Sequence, residues 1–197
     1  MSKKGILLSG GMDSISIAFW KRPEIAFTLN YGQLSAKAEI AAARAICSEL
    51  GIDHHVIEVD CSAIGSGDLS GKESLSVAPK SDWWPYRNQM LVTLCGMAAL
   101  PLGVTELMVG SVKSDSYHKD GSTEFYDLLN SLMKLQEGSL RVQAPAIQYT
   151  TAELIEISGI PKELLMWAHS CHKSNIPCNN CRGCNKYFNT LYELDNK

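Results

Sequence analysis

The 197-residue sequence has no apolar run near the roughly 20 residues that a membrane-spanning helix needs. Its opening, MSKKGILLSGG, carries a basic pair but only a few apolar residues in a row, so it reads as a first strand and not as a secretory leader. Together these absences predict a cytoplasmic protein. No basic stripe runs along the chain. Lysine and arginine number 18 against 21 aspartates and glutamates, a net charge of −3, which disfavours a nucleic-acid partner. The one local basic enrichment is Lys173, Arg182 and Lys186. There are no internal repeats and no interdomain linker. The cysteines number seven, and an odd count in a chain read as cytoplasmic argues against a disulfide framework.

What remains is an ordinary globular composition, 45% hydrophobic and 20% charged, sized for one domain with a small appendage. The first part alternates strand-like and helix-like runs. GILLS reads as a buried strand, Asp13 to Trp20 as a helix, and EIAFTLNY as a second strand. The Ala-rich SAKAEIAAARAICSEL reads as a helix capped by Gly51, and DHHVIEVD as a third strand. This order implies an α/β fold, a parallel sheet with helices on both faces. Residues 61–82 are rich in serine and glycine, the composition of a functional lid or a disordered segment. Further on, NQMLVTLCGMAALPLG, STEFYDLLNSLMKLQEG, TTAELIEIS and PKELLMWA read as helices, with ELMVGS and RVQAPAI as strands. Residues 1–168 are expected to form one domain and residues 169–197 a compact cysteine module packed on it.

Two stretches carry chemistry. LSGGMDS, residues 8–14, stands between the first strand and the first helix. A turn there presents unpaired backbone N–H groups at the positive end of a helix, which is an anion site. Gly10 and Gly11 would let the backbone approach an anion, Ser9 and Ser14 would add hydroxyl donors, and Asp13 would cap the helix or help hold Mg²⁺. The stretch is neither GxxxxGKS/T nor GxGxxG. It has no lysine for a transferred γ-phosphate, so kinase-like chemistry is not indicated. The second stretch is Cys171-x6-Cys178-x2-Cys181-x2-Cys184. Four thiolates suit a closed tetrahedral zinc site of structural purpose. His169 and His172 are substitute ligands, and a redox dithiol or an iron–sulfur cluster is the competing use. Cys47 and Cys95 lie in apolar helical runs and read as buried hydrophobes.

SGGMDS after a first strand resembles the pyrophosphate loop of the N-type ATP pyrophosphatases, whose fold is adenine nucleotide alpha hydrolase-like. With the cysteine module at the other end, the chain resembles the 7-cyano-7-deazaguanine synthase family of the queuosine pathway over nearly its whole length. Asn30 to Gln33, Pro85 to Asn88 and Gly110 to Phe125 match further motifs of that family in outline. The resemblance implies an ATP-dependent ligase with Mg²⁺ and structural Zn²⁺, a small 7-deazapurine substrate and a homodimer. Such an enzyme adenylates the carboxylate of 7-carboxy-7-deazaguanine and forms an amide with ammonia, and in the usual member a second ATP turns the amide into the nitrile.

On that resemblance, Leu8, Ser9, Gly10, Gly11, Met12, Asp13, Ser14, Tyr31 and Gln33 are assigned to the nucleotide, with Ser9, Asp13, Ser14, Arg87 and Asn88 as the catalytic set. Arg87, with Asp115, Tyr117 and Asp120, is assigned to the substrate. A surface ion pair is the plain alternative for Arg87. Core packing is the plain alternative for its neighbours Trp83, Trp84 and Tyr86, which could otherwise stack on a base.

The sequence departs from the family pattern at three places: Asn30 precedes Tyr-Gly-Gln, Leu34 and Ser35 replace Arg-His, and Thr151 replaces the lysine of an L-T-K-A-E segment. Losing that positive charge is expected to weaken the nitrile step. It points to a variant that stops at the amide or uses a protein amine, as in a defence system. A tRNA-thiolating relative and a non-catalytic nucleotide-binding zinc module are the rival readings.

Overall fold

The computed structural model describes residues 2–196. Five strands form one parallel sheet: β1 Lys3–Leu7, β2 Ile25–Asn30, β3 Asp53–Glu58, β4 Val104–Met108 and β5 Arg141–Gln143. Their order is β3-β2-β1-β4-β5, with β1 in register against β2 (Leu7 opposite Phe27) and against β4 (Ile6 opposite Met108). The helices are α1 Met12–Lys21, α2 Ala36–Leu50, α3 Arg87–Ala99, α4 Thr123–Leu135, α5 Thr151–Ser158, α6 Lys162–Leu165 and α7 Arg182–Asp195.

Side chains along a strand alternate between faces, and the core divides accordingly. Ile6, Leu8 and Ala26 join Ile15 and Ile17 of α1, Ile46 of α2 and Leu154 of α5 in one buried cluster. Phe27 and Leu29 join Val92 and Cys95 of α3 and Leu129 of α4 in the other. Tyr187, Leu191 and Leu194 of α7 pack against the first cluster. This is a parallel sheet covered on both faces, of the adenine nucleotide alpha hydrolase-like kind. The strand order runs outward from β1 in both directions. A ligand crevice therefore opens beyond the carboxyl ends of β1 and β4.

Most expected elements form, with differences that have local causes. Gly51 caps α2 in the left-handed conformation, its N–H on the Cys47 carbonyl. Asp13 does not cap α1. Gly11 holds that position, and Asp13 is the second residue of the helix. β5 stops after three residues, two before Pro145, which has no N–H for a ladder. The segment around PKELLMWA makes a single turn, α6, after Pro161. Residues 61–82 are neither open lid nor disordered. Leu69 and Ser66 are buried, Leu34 N donates to the Leu69 carbonyl, and Lys72 Nζ holds the carbonyls of Ser62 and Ala63 at 2.6 and 2.9 Å. Cys47 and Cys95 are buried as expected, and burial pushes the Cys47 thiol up to about 12. No helix among the described residues is long and apolar enough to cross a membrane.

Candidate active site

A cavity of about 270 Å³ lies at that crevice. Its floor is the turn after β1, its walls come from the ends of β2 and β4 and the start of α3, and its rim comes from residues 169–187. Leu8, Ser9, Gly11, Met12, Asp13 and Ser14 all line it. Ser14, almost fully buried, donates its hydroxyl to the Gly11 carbonyl at 3.1 Å and stands 3.1 Å from Ser9 Oγ. The two glycines differ in their surroundings. A Cβ on Gly11 would make only ordinary contacts, with Ser9 Oγ at 3.6 Å and the His169 carbonyl oxygen at 3.7 Å. Gly10 does not line the cavity. Its φ of +75° favours glycine, and a Cβ would stand 2.6 Å from the Glu39 carbonyl oxygen, so it lets the turn lie against α2.

The cavity is charged. Lys186 on α7 places Nζ 2.7 Å from Asp13 Oδ2 and 3.4 Å from Asp115 Oδ1. Burial pushes the Asp13 carboxyl up, against the pull of Lys186. Burial alone would lower the Lys186 ammonium, but Asp13 and Asp115 outweigh it and hold it protonated. The other oxygen of Asp13, Oδ1, is buried without a hydrogen-bond partner.

Arg87, the first residue of α3, lines the cavity beside the Tyr31 phenol and is no surface ion pair. Burial works against the Arg87 charge, but the Tyr31 phenol and the carboxylates of Asp120, Asp82 and Glu39 outweigh it and keep the guanidinium protonated. Asn88 also lines the cavity, and its Nδ2 donates to the Asp120 carbonyl at 2.7 Å.

A second polar cluster joins three distant segments. Arg182 Nη1 donates to His118 Nε2 at 2.8 Å and to Asp82 Oδ2 at 3.3 Å, and His172 Nδ1 stands 3.5 Å from Asp82. Burial works against the Asp82 charge, but these partners hold its carboxyl well below the usual range.

The expected site residues separate under this geometry. Tyr31 and Asp115 line the cavity, whereas Gln33, Tyr117 and Asp120 do not. Gln33 is buried scaffolding: it accepts from Tyr31 N and donates to the Leu29 carbonyl and Glu39. Tyr117 is half exposed, with its ring under Lys80 and Arg182. Asp120 is occupied with Asn88. Trp84 is core, edge-on to Tyr31 at 5.1 Å, and Tyr86 is exposed, so neither offers a base platform in the cavity. Lys186, Arg87 and Arg182 line the cavity, together with the carboxylates of Asp13, Glu39, Asp82 and Asp115. Only the basic enrichment in the tail signalled Lys186 and Arg182, and nothing near them in sequence signalled Asp82.

The four cysteines come together. Their sulfurs lie within 4.8 Å of one another, with Cys178–Cys184 and Cys171–Cys181 each at 4.0 Å. Sulfurs bound tetrahedrally at about 2.3 Å from zinc stand roughly 3.8 Å apart, so the cluster fits that ion with no position left open. The Asn180 N–H brings the Cys178 thiol down to about 7, whereas burial pushes the Cys184 thiol up to about 12. Neither His169 nor His172 belongs to the cluster. His169 Nε2 is 2.9 Å from the Ser174 carbonyl oxygen, and His172 faces Asp82.

Residues 4–194 match the family model described as "Queuosine biosynthesis protein QueC". Curated relatives agree. The chain is 34% identical to a 7-cyano-7-deazaguanine synthase of Desulforudis audaxviator, covering 93% of this chain and 94% of that protein. It is 29% identical to one of Chlorobium phaeobacteroides, over 91% and 87%. It is 26% identical to one of Methanocaldococcus jannaschii, over 90% and 89%.

Proposed function

The chain belongs to the queuosine biosynthesis QueC family, and from that premise we propose that it is an ATP-dependent ligase that adenylates the carboxylate of 7-carboxy-7-deazaguanine and carries the product through the amide to 7-cyano-7-deazaguanine. The observation that carries this reading is the turn after β1, whose Ser9, Gly11, Met12, Asp13 and Ser14 line the cavity at the switch point of the sheet.

A carboxylate is a poor electrophile. One of its oxygens attacks the α-phosphorus of ATP, the bond from that phosphorus to the bridging oxygen breaks, and pyrophosphate departs with the electron pair. Ammonia then attacks the acyl carbon and AMP leaves with the carboxylate oxygen, giving the amide. The amide oxygen attacks the α-phosphorus of a second ATP, pyrophosphate departs, and AMP leaves with that oxygen as the nitrogen loses its two protons to give the nitrile. Backbone N–H groups at the start of α1 and the hydroxyls of Ser9 and Ser14 bind the departing pyrophosphate, where charge develops. Arg87 and Asn88, at the start of α3, hold the reacting carboxylate or the nucleotide phosphate.

Asp13 and Asp115 would hold Mg²⁺, which when bound neutralises phosphate charge and orients the leaving group. Asp13 Oδ1, buried and unpartnered, suits that use. Asp115 is therefore assigned to the phosphate end of the cavity and not to the deazaguanine edge. Residues 169–197 are read as the zinc-binding module, closing the cavity from the side of α7.

Lys186, Arg87 and Arg182 line the cavity and support the nitrile over the amide as end product. Thiolation of tRNA is disfavoured by the cysteines. Cys47 and Cys95 are buried, four others are gathered in one cluster, and Cys61 alone is left partly exposed outside it, which provides no exposed pair. Incubation with Mg-ATP, 7-carboxy-7-deazaguanine and ammonia, followed by mass analysis, tests the proposal. The nitrile together with AMP and pyrophosphate is expected. An amide end product would restrict the reaction to its first half, and an unchanged substrate would refute the proposal.

A further inference from the structure

Lys186 lies in the cavity through contacts that no motif of the sequence encodes. It belongs to α7, whose start is built on the cysteine cluster. Cys181 caps the helix, its sulfur accepting from Cys184 N at 3.4 Å, and Asn185 N donates to the Cys181 carbonyl at 3.0 Å. Gly183 permits this placement, because a Cβ there would meet the Ser170 carbonyl oxygen at 1.8 Å. The same module is tied to the turn after β1, since His169 N donates to the Gly10 carbonyl at 2.9 Å. The cluster, the turn and the lysine therefore form one connected unit.

We infer that Lys186 binds the triphosphate of the nucleotide and that the four-cysteine cluster serves the reaction by holding this lysine over the Ser9–Ser14 turn. This rests on the adenylation reading above. Lys186 is the counter-ion of Asp13 and Asp115. Asp13 and Asp115 would hold a divalent cation that accompanies ATP, with Asp13 Oδ1, buried without a close hydrogen-bond partner, among its ligands. The ammonium, with three donors, then turns to the phosphate oxygens a short distance away.

Titration calorimetry on the full chain tests this, using Mg²⁺ with α,β-methylene-ATP, which cannot be split at the reacting bond, and adenosine as a ligand without phosphates. Lys186→Met is expected to weaken the analogue about 10- to 100-fold, the loss of one charge-assisted hydrogen-bonding group, and to leave adenosine within about twofold. Lys186→Arg should recover most of the loss. Removing zinc with a chelator should weaken the analogue in the wild type to the level of Lys186→Met, and should add little in that variant.

Equal losses for both ligands would reduce Lys186 to a structural ion pair and overturn the inference, as would no loss at all. Undiminished affinity after zinc removal would overturn the role of the cluster. A zinc-loaded wild type that binds no analogue would sink both this inference and the adenylation reading. One that binds it as described but releases no AMP and pyrophosphate from ATP would sink the reaction alone.

Discussion

Lys186 and Asp13 are 173 positions apart in the chain, yet their charged atoms stand 2.7 Å apart at the head of α1. This pair joins the two chemical stretches of the sequence, the glycine–serine turn and the cysteine cluster, at one cavity. It also places a cation where the sequence pattern suggested that one had been lost.

Ser14→Ala removes a hydroxyl buried in the turn, in contact with Ser9 Oγ and the Gly11 carbonyl. If that hydroxyl is a donor to departing pyrophosphate, kcat should fall about 100-fold or more. Stability should change by only about 1 kcal/mol, the value of a neutral hydrogen bond. Steady-state pyrophosphate release and a thermal melt separate the two effects. Wild-type turnover in the variant would remove Ser14 from the reaction.

Gly10→Ala and Gly51→Ala form an informative pair. Both residues have positive φ, +75° and +67°, but only Gly10 has an atom in the way of a Cβ, the Glu39 carbonyl oxygen at 2.6 Å. Gly51→Ala should cost about 1 kcal/mol, the conformational penalty alone. Gly10→Ala should cost about 3 kcal/mol or more, because penalty and clash add. Urea unfolding measures both, and equal costs would contradict the packing assigned to the turn.

Local order was legible in the sequence and long-range pairing was not. The strands β1 to β4, the helices and the cap at Gly51 follow from apolar period and glycine placement, which are properties of neighbours in the chain. The cysteine cluster was legible for the same reason, with four ligands inside fourteen positions. Lys186 and Arg182 showed only as a basic enrichment in the tail, and Asp82 not at all, because their partners lie 173 and 100 positions away and no local pattern encodes that. Gln33 and Tyr117 stand in motif-like stretches, but buried hydrogen bonds claim one and surface cation–π contacts the other.

Asp82→Asn should destabilise the fold by about 2–3 kcal/mol at neutral pH, because it leaves Arg182 without its carboxylate. The Asp82 carboxyl has a depressed value in the folded state. Its contribution is therefore present above the ordinary carboxylate range near 3.8 and is lost as pH falls through the folded value. The gap between wild type and variant, measured by chemical unfolding, should be constant from pH 8 to pH 5 and narrow in stronger acid. A gap that widened on acidification would contradict the ion-pair assignment.

Thiol chemistry reports the metal. At neutral pH in the zinc-loaded protein, iodoacetamide should label the partly exposed Cys61 and spare the buried Cys47 and Cys95. Cys171, Cys178, Cys181 and Cys184 should become reactive only after chelation, which should also lower the melting temperature. Mass spectrometry of peptides gives the sites. Equal labelling of the four with and without zinc would deny the cluster its metal.

The central claim is that a carboxylate oxygen attacks the α-phosphorus of ATP in this cavity. The most direct measurement uses 7-carboxy-7-deazaguanine labelled with oxygen-18 in its carboxylate, turned over with Mg-ATP and ammonia. The account predicts oxygen-18 in the phosphate of AMP and unlabelled pyrophosphate. Label in inorganic phosphate, formed alongside ADP, would contradict it.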